Sequence, residues 1–338
     1  MTLARITVAC CLLFSAVAEG QEYHLFRVTL SSDASFRGLS IVTDRVAWIS
    51  GSKGTVGRSI DGGESWQIQQ VSGYETSDFR SLYAFDEHRA VIANAGSPGA
   101  ILRTEDGGKN WKPVYASNHP DIFFDGMDFW NDQDGLIYGD PIEGKMVLLR
   151  TSDGGKTWKA IDTAPQLEKG EASFAASGTG IRCIGKKDVV ICTGGLVSRF
   201  WMSSDAGEHF IPKSPPIIQG KPTAGILSVS LQGNKIILVG GDFQDPTFAK
   251  AHHLFSVDQG KTWLTPKTPV RAYRECVEFI SNNVWIAVGP SGAEVSEDDG
   301  QVWRMLSDEK GLHVIRRARK GKLIVSAGGA GAIFLIQQ

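Results

Sequence analysis

Apolar residues recur along the chain in short runs rich in Val, Ile and aromatics, each broken by glycine, aspartate or asparagine. In the first unit, "FRGLSIVTDRVAWISGSKGTVGRSIDGGESWQIQQV", the breaks predict four strands, A to D, at about 36–42, 46–50, 55–60 and 65–71. The order repeats to the C-terminus. The B–C connection is glycine-rich throughout: "GSKG" 51–54, "GSPG" 96–99, "GDPIEG" 139–144, "GGDFQDP" 240–246, "GPSG" 289–292 and "GGAG" 328–331. Strands this short, bounded by glycine, leave almost no room for helices.

The polar C–D turn carries a fixed string, S/T-x-D-x-G-x-x-W: "SIDGGESW" 59–66, "TEDGGKNW" 104–111, "TSDGGKTW" 151–158, "SSDAGEHF" 203–210, "SVDQGKTW" 256–263 and "SEDDGQVW" 296–303. Its aspartates, Asp61, Asp106, Asp153, Asp205, Asp258 and Asp298, are 45, 47, 52, 53 and 40 residues apart. That period suits a four-stranded propeller blade. A seventh unit, "GLHVIRRARKGKLIVSAGGAGAIFLIQQ", supplies A, B and C and then stops. The apolar segment 22–30 is the expected strand D of that last blade, closing the ring. The predicted fold is therefore all-β, a seven-bladed β-propeller with six such turns. A six-bladed ring with an accessory β segment is the alternative.

Composition changes this picture little. The 338 residues carry a net charge of −2, which gives no basic excess for nucleic acid, and 39 glycines and 9 tryptophans, in keeping with many tight turns and a repeated aromatic position. At the N-terminus Arg5 precedes an apolar run from Ile6 to Val17 and small residues follow. Residues 1–20 therefore read as a cleaved signal peptide and 21–338 as one exported domain, periplasmic or secreted, with no stable membrane insertion. Cys183 and Cys192 flank a hairpin turn, where either a disulfide or two buried thiols would fit. With Cys276 they make no tetrahedral metal set, and no metal or other cofactor is expected. "GTVGRS" and "GGAGAI" lead into strands, so they fail as dinucleotide fingerprints.

The repeated string is the Asp-box, or bacterial neuraminidase repeat. With "SFRGLSIVTDRVAWISGSKGTVGRSIDGGESW", "FFDGMDFWNDQDGLIYGDPIEGK" and "ECVEFISNNVWIAVGPSGAEVSEDDGQVW", the whole mature chain resembles the photosystem II stability/assembly-factor-like family. The resemblance implies a non-enzymatic binding scaffold in an assembly or maintenance pathway, not necessarily a photosynthetic one; a monomer is expected. Its partner would be a protein or peptide, a membrane-complex subunit among the candidates.

A residue reiterated six times is a poor candidate for a single catalytic acid. The six aspartates, with Trp66, Trp111, Trp158, Trp263 and Trp303, read as structural. The candidate site lies on the opposite face, where the B–C and D–A connections meet the starts of the inner strands. Aligned by blade, those starts are Phe36-Arg37, Phe79-Arg80, Phe124-Asp125, Phe174-Ala175, Ala224-Gly225 and Tyr273-Arg274. Arg37, Arg80, Asp125, Arg274 and Glu275, with Asp140 and Asp242 from the B–C loops, are the candidate partner-binding residues. Guanidinium forks there suit carboxylates or phosphates. Ion pairs of Arg37 or Arg80 with Asp125, and of Arg274 with Glu275, are the structural alternative. Arg37, Arg80 and Arg274 with Tyr273, Glu275 and Asp125 also supply the residue types of a sialidase-like glycoside hydrolase. In that reading the adjacent Tyr273 and Arg274 should diverge.

Overall fold

The structure is a computed structural model and describes residues 22–338; the predicted signal peptide lies outside them, apart from its flanking Gln21 also undescribed. Seven antiparallel sheets surround a central channel. Blade one contains Phe36–Ile41, Ala47–Gly51, Thr55–Ser59 and Gln67–Gln70, and blade two Phe79–Ala84, Ala90–Asn94, Gly99–Thr104 and Lys112–Ser117. Blade three contains Phe124–Phe129, Gly135–Ile142, Lys145–Thr151 and Lys159–Ala160, and blade four Ile181–Ile184, Asp188–Cys192, Phe200–Ser203 and Ile211–Lys213. Blade five has Ala224–Gln232, Lys235–Asp242 and His253–Ser256, its fourth position held by the single bridge Phe255–Leu264. Blade six has Cys276–Ser281, Val284–Gly289, Gly292–Ser296 and Arg304–Ser307. In blade seven, His24–Val28 pairs antiparallel with Ile333–Gln337, outside Ile324–Gly328 and Leu312–Arg317. The first strand in sequence is thus the outermost strand of the last blade.

Inner and middle strands are buried along nearly their whole length, and the outer ones alternate or are exposed, as stacked blades require. The core is a series of layers between blades rather than one centre. Trp48, Val56, Leu82, Ile92 and Leu102 fill the space between blades one and two, and Val190, Ile226, Ile236 and Leu238 that between four and five.

Each Asp-box wedges its blade against the one before. Ser59 Oγ donates to Asp61 Oδ1 at 2.7 Å and accepts from Gly63 N at 2.8 Å, while Asp61 accepts from Ser65 N at 3.1 Å. These bonds hold Asp61, Asp106 and Asp258 down at about 2, with the side chains of Ser65, Asn110 and Thr262 as the largest cause. Gly63 has φ +86°, and a Cβ there would meet Leu335 of blade seven at 2.7 Å. Trp66 and Trp303 donate their indole N–H to Gly63 O and Gly300 O, both at 3.0 Å.

Cys183 and Cys192 are free. Their register explains it: Cys183 sits opposite Val189, and Cys192 opposite Phe200.

Candidate functional site

The B–C end of the channel carries the residues singled out in the sequence, in an arrangement the alignment of strand starts only partly captures. A bulge interrupts the inner strand between Phe36 and Gly38, Phe79 and Ser81, Phe124 and Gly126, Ile226 and Ser228, and Leu312 and Val314. The residue inside each bulge leaves the ladder: Arg37, Arg80, Asp125, Leu227 and His313. In blade six that place belongs to Glu275, whose N–H bonds Val288 O, opposite Cys276. Tyr273-Arg274 is therefore one residue early and Ala224-Gly225 two. Phe174-Ala175 is not on an inner strand at all, since blade four starts at Ile181.

The arginines at this end are each paired with a carboxylate. Arg37 Nη1 donates to Glu275 Oε2 at 2.6 Å, and His313 Nδ1 lies 2.8 Å from the same oxygen. Arg80 Nε pairs with Asp78 at 2.7 Å, not with Asp125. Arg274 is fully buried and turns away to Glu294, at 2.7 Å, instead of pairing with Glu275. Asp242 is held by Lys221 Nζ at 2.9 Å and Gln244 N at 3.0 Å, and Asp140 accepts from Ser173 N at 2.9 Å. Asp125 is fully buried and neither carboxylate oxygen has a hydrogen-bond partner among the described residues. Burial, then the neighbouring Asp140, pushes its carboxyl well above the usual range. Arg37, Arg80 and Arg274 do not converge, so the three-arginine cluster of a sialidase is not assembled. Tyr273 is buried, its hydroxyl 3.4 Å from Glu275 Oε1. His252 and His253 are both tied to the Val270 backbone, His252 Nε2 lying 2.8 Å from its O and His253 Nδ1 accepting from its N at 3.4 Å, and the His253 ring packs T-shaped with Trp303 at 5.1 Å.

The chain itself also covers this end. After blade three, Glu171–Ala172 pairs with Gly194–Gly195 on the inner edge of blade five, and residues 173–180 then cross to blade four. Arg37 Nη1 donates to Ala176 O at 2.6 Å, Ser177 Oγ to Glu275 O at 2.7 Å, and Thr179 Oγ1 to Ser228 Oγ at 2.6 Å. Ala176 packs on Leu227 and Tyr273. This crossing carries no strand, and its small residues gave the sequence pattern nothing to register.

The open concavity lies at the other end, on the Asp-box face. A groove of about 980 Å³ runs from the channel outward between blades four and five. Val190, Met202, Leu231 and Ile236 form its apolar wall, and Arg182, Arg317 and Arg319 its channel end. Lys213 and Lys261 also line it, so five cationic side chains stand against three carboxylates, Asp188, Asp205 and Glu278. Arg182 donates to Glu278 Oε2 at 2.9 Å and to Val229 O at 2.7 Å, which fixes its guanidinium across the inner strands. Arg319 lies over the Tyr83 ring at 4.4 Å and donates to Ser40 Oγ at 3.0 Å. Arg317 makes no ion pair among the described residues. Burial raises the Glu278 carboxyl above its ordinary value. The signal for this end was present in the sequence as "IRRAR" 315–319 at the A–B turn of blade seven, beside Arg182 in "IRCI".

Comparison with known proteins places this architecture. A solved structure described as YCF48 bound to D1 peptide matches at TM-score 0.66 and 15% identity, covering 94% of this chain and 97% of that one. YCF48 from Cyanidioschyzon merolae matches at TM-score 0.65 and 17% identity, over 93% of this chain and 98% of that one. The GH74 enzyme of Niastella koreensis shares the fold at TM-score 0.60 and 14% identity, over 88% of this chain and 51% of that one. No curated relative matches by sequence. The family model described as photosynthesis system II assembly factor YCF48 matches residues 16–120 and 94–210, more than half of the chain. The chain belongs to the family of the photosynthesis system II assembly factor YCF48.

Proposed function

We propose that this propeller is an exported, monomeric, non-enzymatic scaffold that binds an acidic peptide segment of a protein partner, a membrane-complex subunit in the first instance, through the groove on its Asp-box face. The observation that carries this reading is the groove itself: an open channel end with arginines held in place by Glu278, Val229 O and Tyr83, while the opposite end is covered and its arginines are paired with carboxylates. Preorganised guanidinium groups favour carboxylates because little side-chain freedom is lost on binding. The D1 peptide in a structurally similar propeller supports a peptide as the class of ligand. The glycoside-hydrolase alternative has no assembled arginine cluster to support it.

The test is a fluorescence-anisotropy titration with a labelled peptide of about 12 residues alternating Glu and Leu, against a Lys/Leu peptide of equal length. The acidic peptide should bind, more weakly as salt rises, and the Arg317→Glu/Lys261→Glu variant should lose about tenfold in affinity. Equal binding of both peptides, or affinity untouched by the variant, overturns the reading. Export is checked on protein expressed with residues 1–20 in a bacterial host: periplasmic protein lacking that segment is expected, and intact protein retained in the cytosol counts against it.

A further inference from the structure

The seams between blades are not equivalent, and one position at which they differ precedes the Asp-box. Immediately before the Asp-box Ser or Thr, blades one, two and three carry Arg58, Arg103 and Arg150. Each reaches across to the next blade. Arg58 donates to Glu87 O at 2.7 Å and lies against Gly107. Arg103 Nε donates to Gly154 O at 2.9 Å, and Arg150 donates to Ala206 O and pairs with Glu208. In blade four the residue is Met202, and in blades five and six Phe255 and Val295, all uncharged; Phe255 and Val295 are buried, whereas Met202 is half-buried and lines the groove. On the middle strand the residue opposite that position is Trp48 in blade one, Val91 in blade two and Val190 in blade four. Met202 and Val190 coincide with the place where the groove opens, and both line it. At the seam of blades two and three, a cavity of about 370 Å³ is bounded by Arg103 itself.

We infer that Met202 and Val190 make the seam between blades four and five a side-chain subsite, so that the bound segment is recognised by apolar residues as well as acidic ones. This rests on the peptide-binding reading above. An extended segment anchored by its carboxylates at Arg182, Arg317 and Arg319 and running outward toward Lys213 and Lys261 would lay apolar side chains on the half-buried Met202 and Leu231, above the buried Val190 and Ile236. The charge of the lining fits such a segment: cationic at both ends, apolar between. An arginine at 202, as in blades one to three, would fill that space and direct a guanidinium at the box of blade five.

The experiment compares the Glu/Leu peptide with a Glu/Ser peptide of the same length and charge, on the full mature chain. The Glu/Leu peptide should bind about tenfold more tightly. Met202→Arg should abolish that advantage. Val190→Trp, which adds bulk to the seam without adding charge, should bring the two affinities to within about twofold of each other; retained thermal unfolding of both variants shows that they fold. Equal affinities for the two peptides, or an advantage that survives Val190→Trp, overturns the subsite and leaves acidic-peptide binding standing. If neither peptide binds, both ideas fall.

Discussion

Arg37 of blade one and Glu275 of blade six are joined across the channel mouth by a 2.6 Å hydrogen bond. The same Arg37 nitrogen holds the Ala176 carbonyl, so one side chain ties three parts of the ring: blade one, blade six and the crossing segment. Glu275 is nearly buried and Arg37 mostly so. Removing the guanidinium leaves a buried carboxylate with the His313 ring and the Tyr273 hydroxyl as its remaining side-chain partners. Arg37→Ala should therefore cost about 1–3 kcal/mol in urea unfolding, below the full cost of breaking a wholly buried pair. Binding of the Glu/Leu peptide should not change. Weaker peptide binding at full stability would return the site to this face.

The arginine clamps make a parallel prediction for the seams. Arg103 is almost fully buried, and its Nε–H is bonded to Gly154 O in the box of blade three. Arg103→Met, which copies blade four, removes that bond and leaves the carbonyl to find water. A loss of about 1.5–3 kcal/mol in chemical denaturation is expected, the range for hydrogen bonds to charged groups. A loss below about 0.5 kcal/mol would mean that the seam is held by its apolar layer alone.

Asp125 gives a pH dependence of defined sign. Its folded-state pKa is raised by burial, so the protonated form is the one the fold favours. Stability from this residue is fully present below the unfolded value of 3.8 and is lost as pH rises from there toward the folded pKa. Asp125→Asn keeps the shape and removes the ionisation. Its melting temperature relative to the parent should be higher at neutral pH than at pH about 4. A difference that is flat with pH would show that Asp125 ionises in the folded state without cost. The Asp-box aspartates work in the opposite direction, since their depressed values add stability above the unfolded value of 3.8 that is lost as pH falls toward about 2.

Much of the fold could be read from the six Asp-boxes because each fixes a C–D turn, and the strands on either side follow from the alternation of residues. The boundaries of blade one, predicted at 36–42 and 46–50, are observed at Phe36–Ile41 and Ala47–Gly51. The site was less legible. A bulge adds one residue that no period-2 pattern reveals, so Arg274 was aligned where Glu275 stands. In blade four the inner strand is preceded by "SFAASGTG", whose crossing depends on contacts with Arg37 and Glu275, far away in sequence. At the groove Met202 stands half-buried where Arg58, Arg103 and Arg150 bridge to the next blade, a contrast made by contacts between blades and not by the residue type alone.

Trp158 tests whether the Asp-box is a packing device rather than a loop that happens to repeat. Its indole is 7 % exposed and meets Phe129 edge-on at 5.9 Å within the layer that also holds Val91 of the preceding blade. Gly155 of the same box lies against that Val91 side chain, so the ring and the turn seal one seam together. The indole N–H has no acceptor among the described residues, and its loss subtracts no hydrogen bond. The cost of Trp158→Ala is then transfer plus cavity, about 3–5 kcal/mol, readable as a fall in the denaturation midpoint at unchanged slope. Trp158→Phe keeps most of the apolar contact, as Phe210 does in blade four, and should recover more than half of that loss. If Trp158→Ala instead changes stability by under about 0.5 kcal/mol, the ring does not support the seam, and the hydroxyl–carboxylate bonds of Thr151 and Asp153 hold the turn unaided.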